Sequence, residues 1–160
     1  MNNTYLILLI VAASTVISCK KDKNKVDTIA QLTTGKWKLI ELTWQQFTNG
    51  VPNAAEDRFY KRKECKNDDL LQFLTNGAMA VHLGTLICTD TTNQSTNIAW
   101  KVQGSDTIEI TTINNGGFPY ESTTQWQIDY ISKEKLKLKN SHDGGTTYRF
   151  ETIETYKFIE

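Results

Sequence analysis

The sequence predicts an all-β fold: an eight-stranded antiparallel up-and-down barrel preceded by a short helical turn. Three observations predict it. From Lys36 onward the apolar residues recur with a period of two, in short runs. The runs are separated by clusters of Asn, Asp, Gly and Ser, which punctuate strands. Each run has one apolar and one polar face, and no amphipathic helix of useful length follows to cover the apolar side. A sheet in that position covers itself, by curling into a barrel or folding into a sandwich. Short consecutive hairpins favour the up-and-down barrel.

The elements can be justified in chain order. Residues 5–17 form an apolar run broken only by Ser14 and Thr15. The run is shorter than the roughly 18 residues a spanning helix needs, and suits the apolar stretch of a secretory signal. Met1-Asn2-Asn3-Thr4 carries no lysine or arginine, so the amino group supplies the positive charge ahead of it. Val16-Ile17-Ser18-Cys19 then resembles the lipobox of bacterial lipoproteins. The resemblance implies cleavage after Ser18 and lipidation of Cys19, with the membrane as partner; two or more acyl chains make a stable anchor where one is marginal. Residues 1–18 are therefore read as a lipoprotein signal peptide, 19–27 as a flexible tether and 28–160 as the domain. Lys20 follows the cysteine, where an aspartate retains enteric lipoproteins at the inner membrane. By the same resemblance the expected location is the cell envelope at the outer membrane.

Cysteine counting extends this reading. Of three cysteines, Cys19 goes to lipid and leaves Cys65 and Cys88 as an even pair in an exported chain, where disulfides persist. A bridge between them is expected. Free thiols or a metal pair are the weaker alternatives, because no further cysteine and no well-spaced histidine accompanies them.

About 140 residues remain after the signal, enough for one domain with one core. Lysine plus arginine equals aspartate plus glutamate, 18 each, and the signal segment holds none of them. That balance argues against nucleic acid as a partner, which calls for a basic face. Lys20 to Lys25 reads as a solvated spacer.

In the domain, Asp27-Thr28-Ile29-Ala30-Gln31-Leu32 predicts a helical turn capped by Asp27 and stopped before Gly35. Trp37 and Leu39 open the first strand. A slip in phase then passes the apolar role to Ile40, Leu42 and Trp44, as a bulge does. A turn or two of helix is allowed between Ala54 and Lys63. Leu71 and Phe73 mark the second strand, and Asn76-Gly77 turns it into Met79, Val81 and Leu83. Ile98, Trp100 and Val102 face inward on the fourth, and Gln103-Gly104-Ser105-Asp106 turns it into Ile108 and Ile110. Trp126, Ile128 and Tyr130 form the sixth inward set. After Ser132-Lys133-Glu134 come Leu136 and Leu138, alternating with a solvated ladder of Lys135, Lys137 and Lys139. His142-Asp143-Gly144-Gly145 turns into Tyr148 and Phe150 on the eighth.

Gly35-Lys36-Trp37 resembles the Gly-x-Trp signature of lipocalins, and Ile128-Asp129-Tyr130 is similar to their Thr-Asp-Tyr with the threonine replaced. More closely, residues 28–160 resemble the lipocalin-like domains of small lipoproteins in Gram-negative bacteria. The shared features are Leu32-Thr33-Thr34-Gly35-Lys36-Trp37-Lys38-Leu39, Cys65 before Asp68-Asp69, Phe73, Asn76-Gly77 and a second cysteine in the next segment. The resemblance implies a barrel closed at one end by Gly35 and Trp37, with Arg149 stacked on the indole. It implies little about a ligand, because function sits in sites grafted onto a shared fold.

No constellation for catalysis stands out, and no enzyme activity, cofactor or metal is expected. There is no Gly-x-Ser-x-Gly, His82 and His142 have no metal-ligand spacing, and both read as surface residues. Glu56-Asp57 and Asp68-Asp69 are adjacent carboxylates, which on a strand point to opposite faces and in a loop are usually solvated. The expected function is binding of a small apolar or amphipathic molecule at the barrel interior or mouth by Trp44, Phe73, Trp100, Trp126, Tyr130 and Tyr148. A barrel filled by its own rings is the competing reading. Its loops, with Tyr60 and Phe118-Pro119-Tyr120, would then contact another envelope protein or a glycan.

Overall fold

The computed structural model of the chain describes residues 23–86, 88, 96–115 and 120–160. The signal segment and Cys19 lie outside the described residues, as do Phe118 and Pro119. Among the described residues the fold is mostly antiparallel β-sheet with one short helix. No helix there is long and apolar enough to cross a membrane.

Helix α1 spans Lys23–Leu32, so it starts earlier than expected and takes in part of the segment read as tether. Asp27 stands inside it and does not cap it. No glycine or proline separates Lys23 from Asp27, so nothing breaks the helix there. What holds α1 is its other end: Leu32 is fully buried and Ile29, three residues back on the same face, packs on the core. The last turn closes on Thr33, whose hydroxyl donates to Ile29 O at 2.8 Å, and Thr34, whose hydroxyl donates to Ala30 O at 2.6 Å. Gly35 follows, and a Cβ there would stand 2.6 Å from the Phe158 ring.

Strand β1, Lys36–Thr48, carries the expected bulge between Leu39 and Glu41. Trp37 and Leu39 are buried before it, and Leu42 packs on the core after it. Ile40 is the bulged residue and is exposed, so the inward role skips it. Two short strands not expected from the sequence, β2 (Val51–Pro52) and β3 (Glu56–Asp57), pair back onto the upper part of β1. Single 3-10 turns at Phe59–Lys61 and Glu64–Lys66 lead to β4 (Leu70–Phe73) and β5 (Met79–His82). Then come β6 (Thr96–Gln103), β7 (Thr107–Asn114), β8 (Tyr120–Ile131), β9 (Lys135–Asp143) and β10 (Tyr148–Ile159).

The ladder runs β5-β4-β1-β10-β9-β8-β7-β6, with β2 and β3 attached to β1. Consecutive main strands are neighbours except β5 and β6, and β1 also pairs with β10 from Lys36 opposite Ile159 to Thr48 opposite Tyr148. The eight main strands are those the period-two runs predict. The sheet is open between β5 and β6, where one isolated antiparallel bridge joins Ala78 to Ala99.

The core lies on one face of the sheet, in the lower half toward its α1 end. Trp37, Leu39, Phe73, Trp100, Val102, Ile108, Leu136, Leu138 and Tyr156 are buried there with Leu32 of α1. Each large apolar side chain so buried contributes about 1.5–3 kcal/mol relative to an exposed one. The polar face of β9 is wet as expected, and Lys137 meets Asp129 at 2.8 Å. That ion pair holds the Asp129 carboxyl below the usual carboxylate range.

Candidate functional site

Beyond Leu42 and Leu138, the inward face of β1, β10 and β9 changes from aliphatic to aromatic and polar. Trp44 on β1 stacks on Phe150 of β10, with ring centroids 5.5 Å apart and planes 22° from parallel. His142 of β9, opposite Phe150 in register, stacks on it at 5.2 Å. The Arg58 guanidinium lies 4.2 Å from the Trp44 ring centroid. A row Arg58, Trp44, Phe150, His142 thus crosses three strands, combining apolar area with cation–π contact. Arg58 is placed by its backbone N–H, which donates to Leu42 O at 2.8 Å, and by an ion pair to Glu56 at 3.2 Å.

Further along β10 the same face carries Glu154 and Tyr156. The Tyr156 phenol donates a short hydrogen bond to the Glu154 carboxylate. Glu154 lies opposite Leu42 on β1 and Leu138 on β9, so a carboxyl sits among apolar neighbours. The charge of Arg62, at the end of the first 3-10 turn, acts on this pair. Its Nη2 donates to Lys66 O at 2.9 Å, while its Nε is buried without a partner. Burial raises the Glu154 carboxyl above the usual carboxylate range, against the Tyr156 hydrogen bond and the Arg62 charge, which lower it. Burial also pushes the Tyr156 phenol well above its ordinary value, helped by the charge and hydrogen bond of Glu154.

The raised Glu154 value has a consequence for stability. The folded chain holds that proton more tightly than the unfolded chain, so ionisation favours unfolding as the pH climbs from the ordinary carboxylate range through the higher native value. Glu154→Gln removes this dependence and keeps an acceptor for Tyr156. The melting temperature of the variant relative to the parent should rise between pH 4 and pH 7; a fall over that interval would contradict the assignment.

The residues expected to bind ligand fall into three groups. Trp44 is half-buried in the aromatic row. Phe73 and Trp100 are buried and meet edge to face at 5.1 Å, and the Trp100 indole N–H is shared between Leu74 O (3.1 Å) and Ala78 O (3.0 Å). They fill the lower half, with half-buried Trp126 packed against them. Tyr130 is exposed, which corrects its expected inward placement, whereas Tyr148 is exposed on the face that also carries Trp44 and Phe150. A bulge between Ile128 and Tyr130 reverses the parity of β8, so Ile131 takes the inward position opposite buried Leu136. Tyr148 pairs with Thr48 beyond the last residue β9 pairs, so no third strand shields it.

Of the residues expected to close one end, Gly35 and Trp37 are together there but Arg149 is not. The Trp37 indole donates to Leu32 O at 3.0 Å and meets the edge of Phe158 at 5.6 Å. Arg149 pairs with Phe47 at the opposite end of β1, its guanidinium 4.1 Å from that ring and its Nη2 3.2 Å from Glu151. The last strand continues well past Phe150, and this extension brings Phe158 to Trp37 in place of Arg149.

The expected disulfide is present, joining Cys65 to Cys88 with Cα atoms 5.4 Å apart. It ties the segment carrying Phe59 and Arg62 to the chain after β5. Asp68 joins the same two segments: its Oδ2 accepts from Thr85 N (2.7 Å), Thr85 Oγ1 (3.1 Å) and Leu86 N (3.2 Å). His142 lies in β9 and not in a turn, and His82 Nε2 is 2.7 Å from Gln72 Oε1 across β4 and β5. Among the described residues no group of His, Cys, Asp and Glu converges to hold a metal ion. A separate cleft of about 550 Å³ lies at the α1 end, lined by Ala30, Gln31, Thr34, Lys133, Glu134, Phe158 and Glu160.

Glu154, Arg62 and Arg58 were not singled out from the sequence. One signal for the first was present, since Glu154, Tyr156 and Phe158 continue the inward alternation of the last strand.

No family model matches the chain, and no curated protein matches it. Among solved structures, the crystal structure of Bacillus subtilis YojF protein aligns with 85% of this chain and 93% of that chain at 10% identity, with a TM-score of 0.27. That likeness is too low to carry an argument about either fold or function.

Proposed function

We propose that this chain is a lipid-anchored, non-catalytic protein of the cell envelope that binds a small amphipathic molecule on the concave face of a lipocalin-like β-barrel. The anchor is Cys19, and the location proposed is the outer membrane, both from the resemblance of Val16-Ile17-Ser18-Cys19 to a lipobox. Closure of the barrel is supported by the contacts at the open seam. Trp100 N donates to Gly77 O at 2.7 Å beside the Ala78–Ala99 bridge, and the Trp100 indole spans the same seam. Nearest-neighbour order with β1 beside β10 is the order a meander has when its two edges meet.

The observation that carries the binding reading is the Glu154, Tyr156 and Arg62 cluster lying further along the inward face from the Trp44 and Phe150 rings. An apolar mouth over a few convergent polar groups is the usual make-up of a small-molecule site. Native mass spectrometry of the full chain extracted gently from its own membrane, with tryptophan quenching against a lipid panel, tests it. A bound mass and saturable quenching are expected; neither appearing would sink the proposal.

One observation favours the second reading, a structural or interaction module with a filled barrel. Trp37, Phe73 and Trp100 are all buried and fill the lower half, while Tyr60 and Tyr120 are exposed in or beside loops. Absence of a bound mass together with co-purification of an envelope protein or glycan would support that module.

A further inference from the structure

We propose that the cleft at the α1 end is a second binding site, separate from the Trp44 face, and that it takes a primary ammonium carried on a short apolar body. The cleft encloses about 550 Å³, a volume in the range of small-molecule sites. Its walls are held in place by the fold. One wall is the last turn of α1 with Ala30, Gln31 and Thr34, anchored where the Trp37 indole donates to Leu32 O at 3.0 Å. The other is the turn between β8 and β9 together with the end of β10. Ser132 Oγ accepts from Glu134 N at 3.2 Å and from Lys135 N at 3.1 Å, and Phe158 N donates to Glu134 O at 2.8 Å. Half-buried Phe158, itself packed on the core, supplies most of the apolar lining.

The polar lining is rich in acceptors and poor in donors. Gln31 Oε1 is buried with no hydrogen-bond partner. Thr34, the hydroxyl in the lining, has spent its hydrogen on Ala30 O at 2.6 Å, so it can accept from an occupant but cannot satisfy Gln31. An acceptor left unmade is costly, and rotation of the amide about its soft terminal torsion turns this oxygen to the cleft that the same side chain lines. Glu134 and Glu160 add two carboxylates against the single ammonium of Lys133. Among the described residues none of these three side chains is in an ion pair. The lining therefore carries excess negative charge and excess acceptors. A primary ammonium matches both, with three donors and no acceptor. A hydroxyl brings one donor without the charge, and a carboxylate brings neither. Glu134 and Glu160 are exposed, so their attraction is modest and screened by salt, and apolar contact with Phe158 must supply the rest.

The test compares three probes of one shape, phenethylammonium, phenethyl alcohol and phenylpropanoate. They are titrated calorimetrically at pH 7 and low salt into the full chain in nanodiscs of phosphatidylcholine, whose head has no N–H donor, with empty nanodiscs as the blank. The ammonium should bind about threefold or more tightly than the alcohol, with the carboxylate weakest. Replacing both carboxylates, Glu134→Gln with Glu160→Gln, should bring the ammonium level with the alcohol. Gln31→Met should weaken both. Ala30→Phe fills the cleft from an exposed helix position and should abolish binding of all three, which assigns the site. Binding of no probe, a ranking led by the alcohol or the carboxylate, a ranking unchanged in the double variant, or full binding to folded Ala30→Phe overturns the site and leaves the Trp44 face untouched. If Gln31→Met does not fold, the double variant and Ala30→Phe decide.

Discussion

Trp37→Ala should cost about 3–5 kcal/mol of folding stability, the range for emptying a large aromatic site in a packed core. Trp37 has no exposed surface. Its indole is held from two sides at once: Phe158 meets it edge to face, and its N–H reaches Leu32 O at the end of α1. Removing the ring therefore opens a void under β10 and frees the residue that docks the helix. The neighbourhood is poorly placed to collapse, because Gly35 already sits against Phe158 with no space for a Cβ. Trp37→Phe separates the two contributions. It keeps most of the packing and loses the hydrogen bond, so its cost should be nearer 1 kcal/mol. Urea midpoints of both variants measure this, and a Trp37→Ala cost below 1 kcal/mol would show that the ring does not organise the α1 end of the core. Against a total stability of 5–15 kcal/mol for domains of this kind, the expected loss is large enough to populate the unfolded chain at 37 °C.

How far such a residue could be found in the sequence depended on what the chain does around it. Leu136 and Leu138 stand out because lysines alternate with them, so one face must be dry and the other wet. The bulge in β1 was legible for the same reason: Leu39, Ile40 and Leu42 are apolar on both sides of the slip, and the change of phase shows in the residues themselves. The bulge in β8 was not. Tyr130 and Ile131 are adjacent and both large, so the pattern continues plausibly through Tyr130, and only the register with β9 shows that Ile131 faces the core. Capping preference misplaced the start of α1, because Asp27 is a good cap in isolation while the helix is held by tertiary burial of Ile29 and Leu32. The expectation that Arg149 meets Trp37 rests on the resemblance, and no residue marks the end of the last strand. Its continuation to Ile159 puts the ends of β1 and β10 in opposite register to that expectation. Glu154 escaped notice on different grounds. A carboxyl at an inward position contradicts the period-two rule, and residues that break a local rule inside a consistent fold are where function concentrates.

Replacing both Cys65 and Cys88 by serine should cost about 3 kcal/mol, the loop-closure entropy of a cross-link between residues 23 apart in sequence. With urea slopes of about 1–3 kcal/mol/M, the midpoint should fall by about 1–3 M. Arg62 lies three residues before Cys65, and Phe59 three before that. The bridge thus fixes the chain three residues beyond Arg62. Asp68 still links the same segments through Thr85 and Leu86, and those donors outweigh the effect of burial and hold its carboxyl below the usual range. That second link is present above the ordinary carboxylate value and is lost only as the pH falls through the lowered native one. At neutral pH the serine variant should therefore remain folded in the absence of denaturant. Reduction of the parent by dithiothreitol should reproduce the fall in the urea midpoint. If reduction leaves the urea midpoint where it was, the bridge does not stabilise the fold.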